Sequence, residues 1–176
     1  TQLCVCLLFQ YAGMSFVDFA HLKERNIKNG ILDYNRQKTG TPMRLEILDT
    51  AELMRKELMG DKKPASGYLF PFVSGTKTGY EAYLEYNAAL SRFNRNLKAL
   101  KKAAGIASDV TSYTIRHSFA MALKEQNVPI EMISELLGHK SIKTTQIYLR
   151  SFSLEKMTEV NSTCFGCVYN YVSKVG

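Results

Sequence analysis

The chain is 176 residues long, 45% hydrophobic and 22% charged, with 23 Lys and Arg against 16 Asp and Glu for a net charge of +7. That length holds one domain with a sizeable core, or one domain and a short tail, and no apolar run approaches the length of a membrane span. The basic excess favours a polyanionic partner, nucleic acid above all, bound in a strongly salt-dependent way.

Residues 3–26 are predicted as one helix from the spacing of Leu7, Leu8, Phe16, Val17, Phe19 and Leu22, ended by Asn29-Gly30. The opening LCVCLLF is short, lacks a basic leader and is followed by no cleavage-type sequence. No signal peptide, a cytoplasmic location and reduced thiols are therefore expected. A chain that starts at Thr1 reads as a piece of something longer. ILDYNRQ and MRLEILD then flank Lys38-Thr39-Gly40-Thr41-Pro42, the pattern of a β-hairpin with Met43, Leu45 and Ile47 on its half-buried face. A helix is predicted over 49–59, capped by Asp49 or Thr50, and residues 60–79 as a long loop with a short extended piece at 68–72.

A long helix over 80–104, closed by Gly105, presents Arg92, Arg95, Lys98, Lys101 and Lys102 as a cationic face, which suits DNA or plain solvent equally well. Thr111-Ser112 caps a helix running to about 127, before Pro129. A short helix over 130–137 ends at Gly138, another covers about 143–150, and the tail from Ser153 reads as one more weakly amphipathic helix. Cys164-Phe-Gly-Cys167 has the spacing of a metal half-site, but with no second pair nearby it reads as two ordinary thiols, and no metal is expected. The sum is a mostly α fold with one small antiparallel β-sheet or hairpin, an α+β domain.

Arg116-His117 on the capped helix, His139 after a helix-ending glycine, and Tyr148 nine positions later each have an ordinary reading when taken alone. These are a surface ion pair, a C-cap and a packing side chain. Jointly they match one chemistry. A tyrosine hydroxyl can attack a phosphodiester and hold DNA covalently while donors stabilise the pentacoordinate phosphorane. Guanidinium groups bind phosphate bidentately, and a histidine can donate to a non-bridging oxygen or assist proton transfer. Lys38, at the hairpin tip, could protonate the leaving 5′ oxygen. No cofactor is required, and no cluster of carboxylates is offered to bind a metal.

TIRHSFAMALKEQNVPIEMISELLGHKSIKTTQIYL, residues 114–149, resembles the C-terminal half of the catalytic domain of tyrosine recombinases, the phage integrase family. The family pattern of R-H-[ST]-F-A, then L-G-H, then a tyrosine nine residues on is met by Arg116-His117-Ser118-Phe119-Ala120, Leu137-Gly138-His139 and Tyr148. Upstream, GMSFVDFAHLKERNI is similar to the family's first helix, and QKTG to the hairpin carrying its catalytic lysine, so the likeness covers about residues 3–160. The resemblance implies Tyr148 as nucleophile, Arg116 as the second active-site arginine, His139 facing the phosphate and Lys38 as general acid. It implies Asp18 and His117 in supporting roles, with Arg92, Arg95, Lys98, Lys140 and Lys143 as DNA-binding candidates. By the same token, residues 1–152 form the catalytic domain and 153–176 a tail helix that packs on a neighbouring protomer or back in cis, with the amino-terminal core-binding domain absent from this chain. The implied partner is double-stranded DNA, with self-association into a synaptic tetramer on it, and no cofactor.

Two departures stand out. Tyr113 occupies the position three residues before Arg116 where the family usually has histidine, and its phenol can still donate a hydrogen bond. The family's first arginine should fall at residue 15 in the common pattern or at 12 in an R-G-M-S-F variant, where this chain has Ser15 and Ala12. Arg25, Arg36 and Arg44 are the candidate replacements. An impaired recombinase, a DNA-binding relative without catalysis, and a type IB topoisomerase-like enzyme all stay open on this ground. The compact His139–Tyr148 spacing and the small hairpin favour a recombinase over a topoisomerase, and the joint survival of Lys38, Arg116, His139 and Tyr148 argues against a relative without catalysis.

Overall fold

The structure, a computed structural model, describes residues 1–60, 67–149, 157, 158, 161 and 162. In chain order it runs α1 (Gln2–Gln10), α2 (Phe16–Ala20), a 3-10 turn (Glu24–Asn26), β1 (Ile27–Lys28), β2 (Ile31–Asn35), β3 (Pro42–Glu46), α3 (Asp49–Met59), α4 (Gly79–Ala103), α5 (Ser112–Glu125), α6 (Ile130–Leu136) and α7 (Ile142–Tyr148). Among the described residues the strands form one antiparallel sheet in the order β1-β2-β3, with Leu32 opposite Leu45 and Tyr34 opposite Met43. The mostly helical fold with a small antiparallel sheet is therefore as expected, and no described helix is long and apolar enough to cross a membrane.

The single helix predicted over 3–26 is instead two helices and a 3-10 turn. Ala12 and Gly13 both take left-handed backbone, φ 54° and 62°, which ends α1. Ser15 then restarts the chain as the N-cap of α2, accepting from the Asp18 N–H at 3.4 Å. Apolar periodicity runs through this break because both helices bury the same side, so it hides the corner. Asn29-Gly30 likewise does not end a helix. Its two left-handed residues, φ 51° and 74°, make the tight turn between β1 and β2. Helix α3 has the predicted bounds, but Leu48 precedes it and neither Asp49 nor Thr50 caps it; Asp49 and Glu52 lie in its first turn. Of the extended piece expected at 68–72, only Tyr68 forms a bridge, antiparallel to Lys23, while Leu69 donates to the Leu22 carbonyl at 2.6 Å. The expected tail helix, Cys164 and Cys167 lie largely outside the described residues.

Two apolar clusters result. The larger joins α1, α2, the sheet, α3 and α4 around Leu7, Leu8, Phe19, Leu32 and Phe93, with Phe16 stacked on Phe93 at 4.6 Å and Phe19 on Phe70 at 4.1 Å. The smaller holds Ala120, Ile133, Leu137 and Leu149, from α5, α6 and the segments that follow α6 and α7. Gly13 and Gly138 sit where the two meet. A Cβ on Gly13 would stand 2.9 Å from the Phe119 ring, and one on Gly138 would strike Met43 Sδ and lie 2.7 Å from Arg36 Cδ. Both glycines have positive φ. Gly138→Ala is therefore expected to cost about 2 kcal/mol or more, from left-handed backbone plus overpacking, read as a lower urea midpoint with an unchanged slope.

Candidate active site

The seam between the clusters is bridged by two buried arginines. Arg116, on α5, donates through Nη1 to the Gly13 carbonyl at 2.9 Å and through Nη2 to the Leu137 carbonyl. Arg36 follows β2 on the inward-facing alternation Leu32, Tyr34, Arg36, and all three are buried. Its Nη1 donates to the carbonyls of Leu137 and Gly138, each at 3.0 Å, and its Nε faces Asp18 Oδ2 at 3.5 Å. Asp18, on α2, is itself buried. It also accepts from Ser15 Oγ at 2.5 Å and from the Gln37 N–H at 2.7 Å, which ties the hairpin base to the first helices. Asp18 pairs with Arg36 alone, while Arg116 has only main-chain carbonyls as hydrogen-bond partners among the described residues. Two buried guanidiniums thus face one buried carboxylate and leave an excess of positive charge.

Tyr148 closes the site from the last turn of α7. Its ring meets those of Tyr113, His117 and His139 edge-on at centroid distances of 5.5, 5.2 and 5.8 Å. The hydroxyl is buried without a hydrogen-bond partner among the described residues. Burial first, then the neighbouring Tyr113 phenol, holds Tyr148 well above the ordinary tyrosine range, although the two hydroxyls do not meet in hydrogen-bond geometry. Tyr148 is therefore a neutral phenol in the free chain. Burial and the adjacent Arg36 charge push Arg116 down to about 10, so it stays cationic at neutral pH.

His139 follows the left-handed Gly138, and its Nδ1 is 2.9 Å from Oγ1 of Thr145, a fully buried hydroxyl on α7. Burial, then Arg116 and Arg36, push the imidazole down to about 4, so it is neutral at physiological pH. Because the unfolded chain takes up this proton near the ordinary 6.5, stability is expected to fall as pH drops from about 6.5 towards 4. A histidine NMR titration in the folded chain should place His139 well below the ordinary 6.5, and His139→Gln should flatten the stability slope across that window.

The structure brings together Arg116, His139, Tyr148, Tyr113, His117 and Asp18. Lys38 is exposed on the turn between β2 and β3 and makes no hydrogen bond or ion pair with a described residue. Lys140 and Lys143 are exposed beside His139 and on α7, and Arg92, Arg95 and Lys98 are exposed along α4. Lys101 leaves that cationic face to pair with Asp109 at 3.2 Å. Of the two positions considered for the family's first arginine, Ala12 is buried with left-handed backbone, and Ser15 is spent on Asp18. Thr145 escaped the sequence reading altogether. A threonine on a short polar helix carries no sign that it will be buried under a histidine six residues back.

The sequence matches the phage integrase family over residues 1–155. A tyrosine recombinase XerD of Lacticaseibacillus casei is 52% identical over 54 residues, which is 31% of this chain and 18% of that protein. The crystal structure of XerA recombinase aligns with TM-score 0.65 at 22% identity, covering 89% of this chain and 55% of that one. XerH recombinase, crystallised bound to its difH substrate, aligns with TM-score 0.62 at 19% identity over 90% of this chain and 45% of that one. The chain thus spans little more than half of these relatives at most.

Proposed function

We propose that this chain, which belongs to the phage integrase family, is the catalytic part of a site-specific DNA recombinase that breaks and rejoins strands through Tyr148. The observation that carries this is the buried seam itself. Arg116, His139 and Tyr148 come from three separate helices or their ends and meet there, with more positive charge than Asp18 can neutralise. A phosphodiester is the partner that such a seam suits: it accepts from guanidinium forks and supplies the missing negative charge.

In the proposed reaction, Tyr148 Oη attacks the scissile phosphorus, and the bond from phosphorus to the 5′ oxygen breaks. Arg116 and the neutral His139 donate to the non-bridging oxygens as charge builds on them. The phenolic proton leaves to a nearby base or water, and Lys38 gives a proton to the departing 5′ oxygen. The 3′-phosphotyrosyl link keeps the energy of the broken bond, so a 5′ hydroxyl from a second strand reverses the step with no other input. Tyr113, whose ring meets that of Tyr148 at 5.5 Å, is proposed to donate its phenol to the phosphate. The exposed Arg92, Arg95, Lys98, Lys140 and Lys143 are proposed to hold the flanking backbone, and residues 153–176 to link protomers on DNA.

The test is a pool of duplexes randomised around a single nick, incubated with the chain and run on a denaturing gel. A protein–DNA band that survives denaturation and is lost on protease treatment supports the reading. Binding without any such band would instead favour a relative that keeps the fold for DNA recognition, a reading for which the lack of arginine at 12 and 15 speaks.

A further inference from the structure

We infer that Arg36 supplies the second phosphate-binding guanidinium of this site, entering from the β2 end of the hairpin in place of the arginine that the first helices lack. The inference rests on the strand-breaking reading above and deepens it. Three arginines could have filled the vacancy, and the structure separates them: Arg25 and Arg44 are exposed, whereas Arg36 is 8% exposed and lies in the seam.

Burying an arginine is costly unless its charge is matched and its donors are used. Arg36 has one long contact to Asp18 for its charge, at 3.5 Å from Nε, and two main-chain carbonyls for Nη1. Its Nη2 group donates to none of the described residues. Those contacts fix the plane of the guanidinium and leave one edge unspent, which is what a group pre-set for an anion requires. The carbonyls it grips belong to Leu137 and Gly138, directly before His139, so its position is tied to the histidine that faces the same anion. Its charge also depresses Arg116 and His139, which places it within electrostatic reach of both.

The local sequence makes room for this arrangement. Ser15 is short and spends its hydroxyl on Asp18 Oδ2, the oxygen that also faces Arg36. An arginine side chain at 15 would compete for that carboxylate. The site therefore holds one acidic anchor for two guanidiniums, with Arg36 reaching in from the strand.

The experiment compares two versions of one nicked duplex, taken from sequences captured by the parent chain: a normal scissile phosphate, and a methylphosphonate that lacks one negative charge. With phosphate, Arg36→Ala should form the covalent complex about 100- to 1000-fold more slowly than the parent chain. With methylphosphonate the deficit should shrink to within about tenfold, because there is less charge to neutralise. An equal deficit on both substrates would show that Arg36 only holds the seam together, and would overturn the inference. Should Arg36→Ala melt below the assay temperature, Arg36→Gln keeps donors for the two carbonyls and permits the same comparison, read in the same way. If the parent chain forms no covalent band, or Tyr148→Phe forms the same band, the strand-breaking reading falls and takes this inference with it. A parent band with an equal deficit removes Arg36 alone.

Discussion

Tyr148→Phe is expected to fold as well as the parent chain and to form no covalent complex with any nicked duplex. The fold should persist because the ring is what packs: Tyr113, His117 and His139 meet its edge, and phenylalanine keeps every one of those contacts. The hydroxyl is buried and has no hydrogen-bond partner among the described residues, so its removal should leave the melting temperature unchanged or slightly raised. The chemistry should vanish because no other group replaces a covalent nucleophile, a loss on the order of 10⁶ where such residues have been removed from enzymes. Paired melting curves and denaturing gels check both halves. A large drop in stability would mean that the hydroxyl has a structural partner, and an undiminished covalent band would move the nucleophile elsewhere.

Arg116→Ala is expected to do something different, and the structure changes the form of the prediction. From sequence alone, a phosphate-binding arginine should be removable without unfolding the domain. In the fold, Arg116 is 6% exposed and joins the Gly13 carbonyl, where the two clusters meet, to the Leu137 carbonyl, in the smaller one. Truncation strands the buried Gly13 carbonyl at about 1–3 kcal/mol, leaves the Leu137 carbonyl to Arg36 alone and opens a cavity, so a loss of about 3–5 kcal/mol is expected. That is a large share of a typical 5–15 kcal/mol domain stability. A urea titration at neutral pH reads the first effect. Assayed below its own midpoint, the variant should also lose about two to three orders of magnitude in covalent-complex formation. Arg116→Lys keeps the charge but not the two-armed fork, and should recover part of the activity and little of the stability. A stable, inactive Arg116→Ala would show that the bonds across the seam matter less than their burial suggests.

These two variants also mark what could be read in advance. The role of Tyr148 depends on spacing along the chain, nine residues from His139 and thirty-two from Arg116, and spacing survives translation into three dimensions because short helices and glycine-ended turns intervene. The structural weight of Arg116 was invisible because its partners are main-chain carbonyls more than twenty and one hundred residues away. Carbonyls are present at every position and carry no sequence signature. Thr145 and Arg36 belong to the same class. Arg36 acquires its role from carbonyls about one hundred residues away, and Thr145 from a histidine that the turn after Gly138 folds back onto α7.

Helix errors had a local cause. Between residues 3 and 26 the apolar pattern continues unbroken across Ala12-Gly13, since α1 and α2 turn the same kinds of side chain to one core. Only backbone dihedrals reveal that the chain bends there, and that bend is what presents the Gly13 carbonyl to Arg116. A straight helix would have engaged that carbonyl internally and left the arginine without it.

The amino-acid sequence by itself determined the mostly helical class, the hairpin, the order of the later helices, and the motif set Arg116, His139 and Tyr148. Those features rest on local periodicity, turn chemistry and residue identity, all of which are written along the chain. Only the tertiary structure decided that Asp18 is shared between Ser15 and Arg36, that two arginines lie side by side in one seam, and that His139 rests on Thr145. Those contacts, some between neighbours across a turn and some between distant segments, lie in a low-dielectric interior, where the energy of a charge or a hydrogen bond depends on which groups close packing brings against it.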